Sequence, residues 1–121
     1  MSGAPFLTAW FAILDTDTPE RILDLISDDF RFSILFSTGA ESATDFRGGR
    51  EAMQAYLDQR ERGVRTHHPL ATASSGSDEF YLGEVRRGTQ VEASFVAQGR
   101  LDDAGRLHRF LIGRSSEIRF D

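Results

Sequence analysis

Cysteine is absent from the chain of 121 residues. The protein therefore forms no disulfide, uses no thiol nucleophile and offers no thiolate to a metal ion. No apolar run approaches the ~20 residues that a membrane-spanning helix needs. A basic stripe is also missing, because the net charge is -5 and residues of both signs are scattered along the chain. We therefore expect neither membrane insertion nor sequence-independent binding of nucleic acid.

Short catalytic and nucleotide-binding signatures are missing as well. The chain contains no G-x-S-x-G sequence, no Walker sequence and no dinucleotide-binding fingerprint. Acyl hydrolysis and nucleotide binding consequently have no support. Residues 1–5 lack the basic region of a signal peptide, and we expect a cytoplasmic protein.

The length of the chain suits a single domain, residues 1–121, that buries one core. Hydrophobic residues make up 40% of the sequence and include ten phenylalanines, so we expect a well-filled interior. In the front half, helical spacing predicts one helix over residues 5–15, with an apolar stripe of Phe6, Trp10, Ile13 and Leu14, and a second helix from about residue 19 to residues 28–29. Strict alternation then predicts a strand over residues 30–37, whose buried face carries Phe30, Phe32, Ile34 and Phe36.

A third helix and four strands follow. The glycine pair at residues 48–49 breaks regular structure, and a helix then runs to about residue 62, with one face formed by Ala52, Met53, Tyr56 and Leu57. Strand patterns cover residues 64–73, 79–86, 89–101 and 106–120, and the short turns between them predict an antiparallel meander. The predicted fold class is α+β, with a curved antiparallel sheet wrapped around three N-terminal helices.

The pairing of the strands predicts which side chains face inward. A turn at residues 102–105 places Gly99 opposite His108 and Phe95 opposite Ile112. The earlier turns bring either His67 or His68 to the same concave face. Because the helices cover this face, we expect a cavity for a small apolar or aromatic molecule. Its predicted lining is Trp10, Phe32, Ile34, Phe36, Tyr56, Phe80, Leu82, Phe95, Ala97, His108, Phe110, Ile112 and Arg114.

The opposite face of the last two strands mixes apolar and polar residues. It is predicted to carry Val96, Leu107 and Leu111 among Ser94, Gln98, Arg100 and Arg109. This patch is too apolar for a solvent face and too polar for a core. We expect a homodimer in which the same surface meets itself, with Glu92 as the acidic partner of the two arginines.

Three segments carry a resemblance to a known family: residues 22–30, residues 46–53 with the sequence FRGGREAM, and residues 103–107 with the sequence DAGRL. With the order of elements, they resemble the nuclear transport factor 2-like superfamily and, within it, the SnoaL-like group. The resemblance implies a curved α+β cone, usually a homodimer. The group includes ketosteroid isomerases, polyketide cyclases, dehydratases and epoxide hydrolases, together with members that only bind a ligand, so the fold does not settle the function.

The ketosteroid isomerase pattern is not kept. In that alignment the helix-one tyrosine falls on Trp10, the general-base aspartate falls near Ile34, and the second oxyanion donor falls on Ala97. None of these side chains supplies the group that the isomerase mechanism needs. We therefore do not expect that mechanism.

The dehydratase-like branch is more similar. The resemblance implies a catalytic pair of His67, within the segment Thr66-His67-His68, and Asp15 five residues after Trp10. Trp10 replaces the tyrosine of that branch and removes an acidic hydroxyl. In such a pair the carboxylate orients the imidazole, and the imidazole transfers a proton. The alternatives are that Asp15 only ends the first helix and that the histidines are ordinary residues of an edge strand.

The remaining polar residues leave further alternatives open. His67, His68 and His108 show no metal-ligand spacing, so we expect no metal and no cofactor. Arg114 binds an anionic group of a substrate or pairs with Glu84 or Glu117. The predicted function is small-molecule binding, with cofactor-free lyase, isomerase or cyclase chemistry through the His67–Asp15 pair. The alternative is a non-catalytic ligand-binding or accessory module.

Overall fold

A computed structural model of the chain describes residues 3–37 and 45–120, except for the side chains at positions 36 and 37. Helix α1 spans Pro5–Leu14, a 3-10 helix spans Pro19–Leu25, and α2 spans Arg50–Gln59. The strands are β1 (Ile26–Ser37), β2 (Phe46–Gly48), β3 (Arg65–Ser75), β4 (Asp78–Arg87), β5 (Gln90–Leu101) and β6 (Leu107–Ser115). Within this part of the chain, no helix has the length and apolar character needed to cross a membrane.

The six strands form one sheet in the order β2-β1-β6-β5-β4-β3. Strands β3 to β6 pair as the predicted antiparallel meander. The predicted α+β fold class is confirmed, but the sheet is mixed, because β1 runs parallel to β6. The short turns determine only which strands of the meander are neighbours. The position of β1 in the sheet depends instead on the burial of its aromatic face, so local sequence patterns do not reveal whether it runs parallel or antiparallel to β6.

Helix α1 packs on the sheet through a stripe that differs from the predicted one. Its buried residues are Leu7, Trp10, Phe11 and Leu14, at spacings of three, four and seven. Phe6 and Ile13, which were predicted to belong to this stripe, flank it and are partly buried. The helix is rotated slightly relative to the prediction, which brings Phe11 into the core.

The segment after α1 differs from the predicted second α-helix. Residues 19–25 form a 3-10 helix, and β1 begins at Ile26 instead of residue 30. Asp28 and Asp29, which were read as the end of a helix, lie at a register irregularity of β1 between Ile26 and Arg31. Polar residues are tolerated there because a bulge turns side chains away from the core. The short strand β2 was not predicted.

Irregularities in pairing decide which side chains face inward. Between β5 and β6, the register differs from the predicted one by two residues, so that Gly99 lies opposite Phe110 instead of His108. A two-residue difference keeps residues 109–114 of β6 on their predicted faces, but the one-residue irregularity between Arg100 and Leu101 reverses Leu107 and His108. Between β4 and β5, another irregularity follows Val85 and changes the register by one, which exchanges the two faces of β4. Phe80 and Leu82 consequently lie on the outer face, and their predicted inward orientation is wrong.

The first turn of α1 is held by a carboxylate from the sheet. No side chain caps the N-terminus of α1 locally. Instead, buried Glu79 of β4 accepts hydrogen bonds from the backbone N–H groups of Leu7, at 2.9 Å, and Phe6, at 3.2 Å. These N–H groups have no partner within the helix, and the negative charge lies at the positive end of the helix dipole. Glu79 therefore fixes α1 to the sheet.

Replacing Glu79 by Gln tests this anchor. The amide keeps one acceptor oxygen but presents a donor to the second N–H, so we expect the free energy of unfolding to fall by about 1–3 kcal/mol. Chemical denaturation of the purified variant measures the change. Glu117→Gln is the matched control at an exposed position and should change stability by less than about 0.5 kcal/mol. Equal stability of the two variants would show that Glu79 does not anchor α1.

Candidate functional site

The structure places Asp15 and His67 in direct contact. Asp15 follows the last residue of α1, and His67 lies near the start of β3. One carboxylate oxygen lies 2.6 Å from Nδ1 of the imidazole, and the other accepts the backbone N–H of His67 at 2.8 Å. The side chains of His67 and Asp15 are only 12% and 16% exposed. His68, the alternative histidine, lies with its Nε2 2.7 Å from Oγ1 of Thr66.

The contact with Asp15 fixes the tautomer of His67. An ionised carboxylate only accepts hydrogen bonds, so Nδ1 carries the proton and Nε2 presents a lone pair. Burial lowers the pKa of His67 below its ordinary value, and the hydrogen bond and charge of Asp15 offset this only in part. The imidazole is therefore neutral near pH 7, in the state that a general base requires.

Aromatic rings hold the imidazole in place. Phe11 stacks on it with ring centroids 4.8 Å apart, and Phe95 meets it edge-on at 5.4 Å. Tyr81 extends this cluster by packing on both phenylalanines. Gly83 leaves space for the rings of Tyr81 and Phe95, since a Cβ at position 83 would lie 2.6 Å from Cε1 of Tyr81 and 2.8 Å from Cζ of Phe95. The position of the His67 ring is thus set by packing as well as by Asp15.

His67 forms part of the wall of an interior cavity. The cavity has a volume of about 30 Å³, which is space for only one or two water molecules. Its wall is apolar except for His67, Tyr56, Arg114 and the indole of Trp10. The full lining is Trp10, Phe11, Leu14, Ile22, Ile34, Met53, Tyr56, His67, Val85, Phe95, Phe110, Ile112 and Arg114.

Seven of the predicted lining residues other than His67 lie in this wall: Trp10, Ile34, Tyr56, Phe95, Phe110, Ile112 and Arg114. Phe32 and Ala97 are buried in the core but do not reach the cavity. Phe80 and Leu82 lie on the outer face of the sheet, for the reason given above. The side chain of Phe36 is outside the described residues.

His108 was predicted to face the cavity, and the structure places it elsewhere. Its Nδ1 lies 3.1 Å from a carboxylate oxygen of Asp29 at the surface. The cause is the irregularity beside Leu101, which pairs Leu107 with Leu101 and buries Leu107. Hydrogen bonds from Ser27 and His108 lower the pKa of Asp29. Among residues 3–37 and 45–120, no three His, Asp or Glu side chains converge as metal ligands.

Sequence reasoning missed five lining residues: Phe11, Leu14, Ile22, Met53 and Val85. Phe11 and Leu14 had a usable signal, because Leu7, Trp10, Phe11 and Leu14 follow helical spacing as well as the predicted stripe does. Val85 had none, since its orientation depends on the irregularity that follows it in β4.

Comparison with known proteins supports the fold. No family model matches the sequence, and no curated protein matches it. Among solved structures, a candidate ketosteroid isomerase from Kribbella flavida is 12% identical, with a TM-score of 0.71 over 98% of this chain and 82% of that chain. A candidate isomerase of the SnoaL-like family from Agrobacterium tumefaciens is 9% identical, with a TM-score of 0.67 over 89% of this chain and 92% of that chain.

A third solved structure, a candidate polyketide cyclase from Sinorhizobium meliloti, is 13% identical, with a TM-score of 0.63 over 88% of this chain and 91% of that chain. Identities this low show the fold alone. The chain has the nuclear transport factor 2-like, SnoaL-like fold that its sequence resembles. Because one fold supports many functions, the chemistry must be argued from the residues of the site.

The protonation state of His67 generates a prediction. Burial keeps the pKa of the folded state below the unfolded value of 6.5, so the unfolded chain binds the proton more strongly. The stability that neutral His67 contributes is present above pH 6.5 and is lost as the pH falls below it. In Asp15→Asn the negative charge that raises the pKa is removed, and we expect the pKa of His67 to fall further.

Nitrogen-detected NMR of the imidazole measures both quantities. The wild type should show the Nδ1–H tautomer at pH 7 and a pKa below 6.5. Spectra of His67→Gln identify the resonances, since the chain has only three histidines. A His67 that is protonated at pH 7, or whose pKa rises in Asp15→Asn, would contradict the assignment.

Proposed function

We propose that this protein binds a small, largely apolar molecule and carries out cofactor-free lyase, isomerase or cyclase chemistry with His67 as the proton-transferring group. The observation that carries the proposal is the Asp15–His67 contact in the wall of an apolar cavity. The solved structures of similar fold include candidate isomerases and a candidate polyketide cyclase. Their names indicate a class of chemistry that one acid–base pair can perform.

The roles of the residues follow from their geometry. Nε2 of His67 takes a proton from the ligand, and Asp15 stabilises the imidazolium that forms. The same imidazolium returns the proton to a different atom in an isomerase or to a leaving hydroxyl in a lyase. Tyr56 and Arg114 share the wall with His67 and supply hydrogen-bond donors for a developing oxyanion. The chain contains no lysine, so these reactions proceed without a lysine Schiff base.

The size of the cavity favours a second candidate function, a non-catalytic binding or accessory module. Pockets for drug-sized ligands have volumes of roughly 300–1,000 Å³, whereas this cavity has about 30 Å³. Trp10 also fills the position at which the dehydratase-like pattern has an acidic hydroxyl. A ligand larger than a few atoms therefore requires movement of lining side chains such as Met53 and Tyr56.

A binding and turnover experiment separates the two candidates. Thermal-shift screening of the wild type against aromatic, polyketide and steroid libraries selects ligands, and turnover of each is then measured. If His67 is the proton-transferring group, His67→Ala should lower turnover by about 10²–10⁴-fold. His68→Ala is the matched control and should leave turnover unchanged within a few-fold. Ligands that bind but show no turnover, or turnover that survives in His67→Ala, would refute the catalytic role.

We also propose a homodimer through the outer face of β5 and β6. Val96 is 53% exposed there and Leu111 is 48% exposed, and Phe80, 40% exposed, lies on the neighbouring strand of the same face. Leu107, which was predicted to belong to this patch, is fully buried. Arg100 pairs with Asp78 through two bonds of 2.8 and 2.9 Å and Glu92 pairs with Arg65, so the predicted pairing of Arg100 with Glu92 is wrong. The apolar residues that remain form a patch that suits a two-fold interface.

Leu111→Glu tests the dimer. A glutamate at the centre of the interface would be buried without a partner, so the variant should be monomeric. Sedimentation velocity at micromolar concentration measures the mass of the wild type and the variant. Ala55→Glu places the same charge on the exposed side of α2, away from this face, and should leave the mass unchanged. A wild type that sediments as a monomer would contradict the proposal.

A further inference from the structure

A row of charged side chains crosses the outer face of the sheet. Arg31 of β1 lies opposite Arg109 of β6, and Arg109 lies opposite Arg100 of β5. Asp78 of β4 is the register partner of Arg100 and ends the row. Register partners point to the same face and have neighbouring side chains. Three exposed arginines and one aspartate therefore lie side by side on four adjacent strands.

Asp78 neutralises only one arginine of this row. Its carboxylate accepts two hydrogen bonds from Arg100, at 2.8 and 2.9 Å. Arg109 donates instead to two uncharged acceptors, the backbone carbonyls of Asp29 and His108, each at 2.8 Å. Nη1 makes both of these bonds, and within the part of the chain that the structure describes, Nε and Nη2 make none. Arg109 therefore keeps its positive charge and has further N–H donors for a ligand.

Arg31 carries a charge that the described residues do not balance. Within residues 3–37 and 45–120, its side chain makes no hydrogen bond and no ion pair. Like charges that lie directly opposite on paired strands destabilise a sheet. Water and salt screen part of this repulsion at the surface. An anion bound by both Arg31 and Arg109 would remove the rest, and it would be attracted by two charges at once.

Arg31 and Arg109 line one depression in the outer face, with a volume of about 310 Å³. A third arginine, Arg47 of β2, belongs to the same lining, and its side chain is 75% exposed. Asp45 lies 3.9 Å from Arg47, beyond hydrogen-bonding distance. Among the described residues, no aspartate or glutamate belongs to this lining. Three neighbouring strands thus contribute three arginines to one depression, although the chain has a net charge of -5.

A second depression that includes Arg31 and Arg109 differs in its charge. Its lining adds Arg50, but it also adds Asp28 and Asp29. Two carboxylates at that site oppose the binding of an anion. The first depression, without a described acidic residue in its lining, is therefore the better site for a negatively charged group.

We infer that the depression lined by Arg31, Arg47 and Arg109 binds a phosphate group. Phosphate offers three strong acceptor oxygens, and each guanidinium presents pairs of N–H donors in a plane that matches two such oxygens. Ser33 and Gln98 belong to the same lining and add uncharged donors. The site lies on the face of the sheet opposite the proposed catalytic cavity, so the inference does not depend on the chemistry of His67.

The phosphate group has two possible sources, free phosphate and a phosphate ester. The side chain of Leu111, 48% exposed, belongs to the lining and offers an apolar contact to the organic part of an ester. Leu111 is also part of the proposed dimer interface, so the three arginines lie beside that apolar patch. Polar residues usually form the rim of an interface.

Stabilisation by phosphate tests the inference. A ligand that binds only the folded chain raises its stability in proportion to RT ln(1 + [L]/Kd). Inorganic phosphate and phenyl phosphate are therefore compared by thermal unfolding and calorimetry at about pH 8, where both carry nearly two charges. Sodium chloride at the same ionic strength is the reference. We expect a dissociation constant of about 1 mM or lower at low salt, which rises as chloride is added.

The two phosphate compounds identify the source of the group. Tighter binding of phenyl phosphate than of inorganic phosphate supports a site for an ester, in which Leu111 contacts the organic part. Equal or weaker binding of phenyl phosphate supports a site for free phosphate.

Variants assign the binding to the arginines. Arg31→Gln and Arg109→Gln should each weaken phosphate binding about 10-fold or more, because each removes a charged donor. Arg31→Lys keeps the charge without the planar geometry and should retain part of the affinity. Arg21→Gln, at an exposed position of the 3-10 helix, removes the same charge elsewhere and should bind like the wild type. Because Arg31 makes no side-chain bond within the described residues, Arg31→Gln remains informative if Arg109→Gln fails to fold.

Three results would overturn the inference. The first is the absence of phosphate binding by the wild type. The second is equal stabilisation of the wild type and Arg31→Gln, which would indicate a general effect of the salt on apolar burial. The third comes from sedimentation velocity: if phosphate converts a dimer into monomers, acidic groups of a second copy are the partners of these arginines. None of these results affects the test of His67-dependent turnover.

Discussion

The carboxylate of Asp15 is the group on which the arrangement of this protein depends. It joins the end of α1 to β3 by accepting both the backbone and the ring N–H of His67. At the other end of the same helix, Glu79 joins the first turn to β4. Two carboxylates therefore fix both ends of α1 on the sheet, and the apolar stripe between them has one orientation. Leu7, Trp10, Phe11 and Leu14 are buried as a consequence.

The contact between Asp15 and His67 serves both the fold and the proposed chemistry. A carboxylate that is largely removed from water is costly unless hydrogen bonds satisfy it. The two N–H groups of His67 meet this requirement, and one of them is the ring N–H whose position decides which nitrogen of the imidazole remains basic. Asp15 thus both follows the end of α1 and binds His67. The two alternative interpretations of this residue are therefore compatible. Phe11 and Phe95 then hold the ring in the plane that this contact requires.

Most of the fold and part of the candidate site could be predicted from the sequence. The first helix, the strands of the meander with their turns, and the α+β class follow from local periodicity and turn residues, and the resemblance predicted the pairing of Asp15 with His67. Bulges were not predictable, because one extra residue in β4 or β5 has no local signature and yet moves Phe80 from one face to the other. The parallel pairing of β1 with β6 is non-local and had no signal either. Errors in the site therefore concentrate on residues beyond an irregularity, such as Phe80 and His108, while the cavity-lining residues Trp10, Tyr56, Phe110, Ile112 and Arg114 were placed correctly.

The filled interior constrains how the proposed ligand would be recognised. In a large apolar pocket, burial of the ligand supplies much of the affinity, at about 25 cal/mol for each Å² removed from water. Here the protein's own side chains already occupy most of that space, because Trp10, Phe11 and Met53 crowd a cavity of about 30 Å³. A ligand that displaces them replaces one set of apolar contacts by another, and the net gain is small. Discrimination at the proposed site would then depend on the few polar residues of the wall, which are His67, Tyr56, Trp10 and Arg114. For the proposed ligand, the positions of its hydrogen-bonding groups should matter more than its apolar surface.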